Sequence, residues 1–173
     1  MATTQPVGTA VQRDSPIEMR PAECRDVGHQ LVDQIADFLE GLPDRPVAPG
    51  VTPSIIRGHL AGDTLPEHGS DPGPLLEEAA SLLFDHSTLN GHPRFLGYIT
   101  SAPAPIGALG DLLASAVNPN VGAWALSPMA TEIELQTVRW IAELFGYPPT
   151  GGGLMVSGGN TANFIGFLAA RQA

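Results

Sequence analysis

Between Pro21 and Gly41 the apolar positions Val27, Leu31, Ile35, Phe38 and Leu39 recur at helical spacing, and the Gly-Leu-Pro that follows is a stop signal. The pattern predicts a first helix there. Four prolines in the next stretch, LPDRPVAPGVTPS, predict an extended connector that crosses a surface without marking a domain boundary. A short helix is expected over residues 53–60, followed by the turn-rich GDTLPEHGSDPGP. A longer helix is expected from about Pro74 to His86, burying Leu75, Leu76, Ala79, Leu82 and Leu83. Residues 103–117 form another, with Pro103 and Pro105 in its first turn and Ile106, Leu109, Leu112, Leu113 and Val117 as its stripe.

The clearest helix runs from Pro128 to Gly146: Ser127 is a plausible N-cap, Pro128 suits the first position, and Gly146 closes the element. Glu132 and Glu134 fall near the favourable end of its dipole. They are two residues apart and so point to different faces, which argues against a carboxylate pair for acid/base work. Beyond GGG at 151–153, the run LMVS reads as a strand, GGN as a turn, and TANFIGFLAAR as a helix. A lone strand needs neighbours, and none follows it, so the sequence reads as cut short.

Composition narrows the possibilities. With 43% hydrophobic residues in 173, the chain can form a globular core, and one domain is the default. All eight basic residues are arginine, against eighteen acidic ones, for a net charge of −10. Nucleic acid is therefore not expected as a partner, since phosphate backbones are bound by clustered Lys and Arg. The single cysteine, Cys24, cannot form an intrachain disulfide and has no evident base beside it, and no Cys/His spacing suggests a metal site. Residues 1–20 are polar and aperiodic, with no signal-peptide core, and read as a flexible tail. No apolar run reaches the length of about 20 residues that spans a bilayer. A cytoplasmic protein with no membrane partner is the expectation.

Two stretches could carry chemistry. In VSGGNTAN, glycines between a strand and a helix let an anion approach the backbone, and the helix-start amides and dipole favour a phosphate. The turn is neither a Walker A loop nor a GxGxxG fingerprint, and it reads equally well as a tight turn that binds nothing. In NGHPRFLGYITSAPAP, residues 90–105, polar and aromatic side chains sit on an aperiodic segment, as in a pocket wall. Taken singly, His92 reads first as a hydrogen-bonded structural histidine, Tyr98 as a packed aromatic, and Trp124 as a core or interface residue.

Four blocks, HPRFLGYITSAP, NVGAWALSPMATEIE, RWIAELFG and LMVSGGNTANFIGFLAAR, resemble in wording and order the amino-terminal half of group II pyridoxal-phosphate-dependent amino-acid decarboxylases, the aromatic-amino-acid and glutamate decarboxylase type. The resemblance implies an α/β, PLP-dependent transferase-like fold of type I, truncated here: mostly helical, with the first strand of the large-domain sheet near the chain's end. It implies that residues 21–89 are a helical segment that wraps a second subunit of a homodimer, and that residues 90–173 begin the large cofactor-binding domain. By position, Ser157, Gly158, Gly159, Asn160 and Thr161 match the turn that holds the phosphate of pyridoxal 5'-phosphate. Family members carry a small residue where this chain has Asn160. Tyr98, Thr100 and Ser101 match the segment lining the amino-acid substrate. Gly122 falls where aromatic-substrate enzymes carry a large aromatic. The family's cofactor lysine, ring-stacking histidine and pyridine-nitrogen aspartate all lie downstream of the glycine turn, and these 173 residues contain no lysine. No catalytic residue is assigned, and the chain alone is expected to be inactive. Two rival readings are a non-catalytic dimerising remnant or regulator of a full-length relative, and an unrelated phosphate-binding module that takes a nucleotide.

Overall fold

The computed structural model describes residues 18–60, 65–148 and 150–172. The expected tail falls mostly on residues 1–17, outside that description. Six α-helices are described: α1 Pro21–Gly41, α2 Pro53–His59, α3 Pro72–His86, α4 Pro105–Val117, α5 Pro128–Leu144 and α6 Gly159–Gln172. Single 3-10 turns lie at Leu42–Asp44 and Trp124–Leu126. The chain divides into two compact units, one running to Pro103 and the other starting at Ala104. None of the described helices is long and apolar enough to cross a membrane.

Proline sets where helices begin. Pro21, Pro53, Pro72, Pro105 and Pro128 open α1 to α5, where a missing N–H costs nothing and the fixed φ is already helical. The start of α3 lies two residues before the expected Pro74, because the Asp71 carboxylate accepts from Gly73 N–H at 3.1 Å and caps the helix there. The start of α4 lies at Pro105 and excludes Pro103. Ala104, preceding a proline, is held extended at φ −97°, ψ 120°, so the helix cannot pass through it.

In the first unit α1 packs on α3. All five predicted stripe residues of α1 are half-buried, and Phe38 stacks on Phe84 with ring centroids 4.2 Å apart. The guanidinium of Arg45 lies 5.2 Å from the Phe38 ring centre and pairs with Asp85 at 2.9 Å. The connector therefore folds back over the helix pair. Leu89 N–H donates to the Val47 carbonyl at 2.9 Å, fixing the segment after α3 against it. Among the described residues of this unit, Leu42, Ala80, Leu89 and His92 are buried.

The buried face of α3 differs from the expected one. Leu75, Leu76 and Leu83 are exposed, while Ala80 is buried and Ala79, Leu82 and Phe84 are half-buried. The apolar surface of α3 is wider than α1 covers. Phe84 stacks on Phe38 of α1, and that contact chooses which part is covered.

In the second unit no described residue is buried. The α4 stripe stands where the pattern placed it, yet Ile106, Leu109, Leu112, Leu113 and Val117 are all exposed. Helix α5 ends in a Schellman closure: Gly146, at φ +74°, donates to Glu143 O, and Tyr147 N–H reaches back to Ala142 O. Trp124, expected in a core or interface, is exposed in this chain, and its indole N–H donates to Glu132 at 2.9 Å.

The expected strand at LMVS is not formed, and no strand occurs among the described residues. A strand exists only as part of a hydrogen-bonded ladder, and no second extended segment pairs with this one. The α/β class implied by the resemblance is thus not displayed among the described residues, whose regular structure is helical, as was expected for most of this chain.

Candidate cofactor-binding turn

Helix α5 positions the segment that leads into the glycine turn. The Glu134 carboxylate accepts from Met155 N–H at 2.9 Å. One turn further along the same face, a Cβ built on Gly153 would lie 2.7 Å from Cγ1 of Val138, closer than any side chain could sit. Gly153 is therefore glycine because the backbone runs directly against α5 there. Glu132 and Glu134 of α5 do separate jobs on separate faces, as their spacing predicts: Glu132 holds Trp124 and Glu134 holds Met155.

The turn itself comprises Ser157, Gly158, Gly159, Asn160 and Thr161. Gly158 adopts φ +154°, a conformation that L side chains rarely take, and its carbonyl accepts from Ala162 N–H at 3.0 Å, which makes it the N-cap of α6. A helix start leaves its first N–H groups without intrahelical acceptors, here those of Gly159, Asn160 and Thr161. Open space lies where a Cβ would stand on Gly158 or on Gly159. The bend is thus not packed under side chains, and an anion can approach its amides at the positive end of the α6 dipole. These features fit a phosphate.

The other predicted residues belong to the first unit. Tyr98 is exposed and lies at φ +60°, unusual for a bulky residue, with its ring 6.3 Å from that of Phe95. Thr100 is exposed, and Ser101 lines an open groove of about 320 Å³ with Phe38, Leu42, Leu89 and Pro103 among its walls. At Gly91, in the same groove, a Cβ would come within 3.1 Å of Pro103 Cδ, so the floor tolerates no larger residue without movement. His92 is buried at 3% exposure. Its Nδ1 accepts from Arg94 N–H at 3.0 Å, which leaves the ring hydrogen on Nε2, a buried atom without a partner. Its local hydrogen bond matches the structural reading of that residue.

Glu134 is the contributor that the sequence did not single out as part of this region. It lies 21 residues from Met155, and nothing in local pattern signals a contact between a helix carboxylate and a distant backbone amide.

A helix-start amide cluster approached by a glycine bend can receive an anion. Residues 56–173 match the pyridoxal-dependent decarboxylase conserved domain, and the chain belongs to that family. It is 36% identical over 157 residues to an aromatic-L-amino-acid decarboxylase of Bacillus atrophaeus, covering 91% of this chain and 32% of that protein. Its structure is similar to that of Oryza sativa TDC with PLP, with a TM-score of 0.69 at 26% identity over 81% of this chain and 29% of the other. It is similar to the same degree, TM-score 0.69 and 26% identity over 79% of this chain and 30% of the other, to Catharanthus roseus tryptophan decarboxylase in complex with L-tryptophan. The chain spans a third or less of the length of the curated relatives it matches.

Proposed function

We propose that these residues are the amino-terminal portion of a pyridoxal-phosphate-dependent amino-acid decarboxylase of fold type I, cytoplasmic and homodimeric through its amino-terminal helices. In this reading Ser157, Gly158, Gly159, Asn160 and Thr161 hold the cofactor's phosphate, and Tyr98, Thr100 and Ser101 line the amino-acid substrate. Residues 21–89 supply the dimer contacts, and residues 90–173 open the cofactor domain. The observation that carries the reading is the open glycine bend at the start of α6, in a chain whose family is pyridoxal-dependent.

The part these residues play is binding and orientation. The amides of Gly159, Asn160 and Thr161, left without intrahelical acceptors at the start of α6, would donate to phosphate oxygens without needing a cationic side chain. Asn160 can add a side-chain amide donor. When bound, the cofactor supplies an electron sink for the pair released as carbon dioxide departs. The lysine that anchors it must come from sequence other than these 173 residues, which have none.

The test is release of labelled carbon dioxide from a panel of carboxyl-labelled amino acids by a protein of the relatives' full length. Release that depends on added pyridoxal phosphate is expected for at least one of them. A correctly folded full-length protein that binds no pyridoxal phosphate would exclude the reading.

A further inference from the structure

We infer that Glu134 is a positioning residue for the phosphate-binding turn, acting through the backbone of residues 153–158; the inference rests on the function proposed above. Two contacts fix how that backbone lies. Gly153 abuts Val138, and Met155 donates to Glu134. Two extended residues advance the chain by about 6.6 Å, and four helical residues advance α5 by about 6 Å in the opposite sense. The segment therefore runs antiparallel to α5 in matching register, pinned at both ends of that span.

Only Val156 and Ser157 separate Met155 from Gly158, the N-cap of α6, so any slide of the segment along α5 passes straight to the amides of the turn. Gly153 permits the close approach but cannot resist sliding, because its contact with Val138 has no direction. The hydrogen bond can. An anionic acceptor on a backbone amide is both stronger and more directional than a dispersion contact. It also occupies the N–H on the edge of the segment facing α5.

The experiment uses the full-length apoprotein and three substitutions. Glu134→Leu removes the acceptor, Glu134→Asp keeps the charge but withdraws it by one methylene, and Glu134→Gln keeps an acceptor oxygen at the original reach. Pyridoxal phosphate affinity is measured by titration, the environment of the bound phosphate by its phosphorus resonance, and the Met155 amide by hydrogen exchange.

Leu and Asp are expected to weaken cofactor affinity about tenfold, shift the phosphorus resonance and speed exchange at Met155, whereas Gln stays within about threefold of the parent. The amino-acid KM, read at saturating cofactor, is expected to stay constant. If Leu fails to fold, Asp against Gln still decides the matter. Unchanged Met155 exchange and unchanged affinity in Leu and Asp would overturn the inference, as would Gln behaving like Leu. Absence of pyridoxal phosphate binding in the parent itself would instead remove the proposed function, while the Met155 exchange rates would still report on whether Glu134 holds the segment.

Discussion

The unit running to Pro103 buries Leu42, Ala80, Leu89 and His92 and seals a helix pair with a stacked Phe38–Phe84, while the unit from Ala104 has helices just as regular and buries none of its described residues. Helix formation and core formation thus separate within one chain. Proline at the first position, an Asp cap or a Schellman glycine is enough to bound a helix, because each acts within one turn. A core needs a second surface. Helix α3 finds one in α1, whereas the α4 stripe of Leu109, Leu112 and Leu113 meets none that would bury it. In a chain about a third as long as its curated relative, such uncovered apolar surface is where further protein has most to gain by packing.

Substitutions can sharpen or break this contrast. The largest effect is expected at the turn that the second unit presents. Gly158→Val places a branched side chain at φ +154° and fills the open space beside it, so cofactor affinity of the full-length protein should fall by about 100-fold, measured by titration. Next is Phe84→Ala in the first unit, which removes a half-buried ring stacked on Phe38 and should cost about 2 kcal/mol in urea unfolding. Leu112→Ala, at an exposed position of α4, should cost under about 0.5 kcal/mol in these 173 residues but about 2 kcal/mol in the full-length protein. Equal costs in both would show that nothing packs on α4.

Gly146→Ala forces a Cβ into the left-handed region at φ +74° and should cost about 1 kcal/mol, read as a lowered urea midpoint. The smallest effect belongs to Asp85→Asn. Its partner Arg45 keeps the Phe38 ring contact, and the pair is partly solvent-exposed, so about 0.5 kcal/mol is expected, shrinking further in high salt.

What was legible in the sequence divides along the same line. Helix α1 lies where the stripe from Val27 to Leu39 and the Gly-Leu-Pro stop put it, and Gly146 closes α5 as its position implied. The glycine bend before α6 was legible for the same reason: glycine, helix start and chain direction are neighbours in sequence. The face of α3 was not, since Leu75, Leu76, Ala80 and Phe84 are all apolar and only the approach of α1 selects among them. The strand at LMVS was not, since a strand needs a hydrogen-bonded partner and no described segment pairs with it. The contact of Glu134 with Met155 was hidden for a related reason: it joins a side chain to a backbone amide, and backbone amides are the same at every residue but proline.

The most direct test of a phosphate held by the α6 turn compares pyridoxal phosphate with pyridoxal, which lacks the phosphate, on the full-length parent and its Gly158→Val variant. The parent is expected to bind pyridoxal phosphate about 100-fold more tightly than pyridoxal, and the substitution to erase most of that difference while leaving pyridoxal affinity unchanged. Equal affinity for the two compounds, or a loss on substitution that is the same for both, would contradict it.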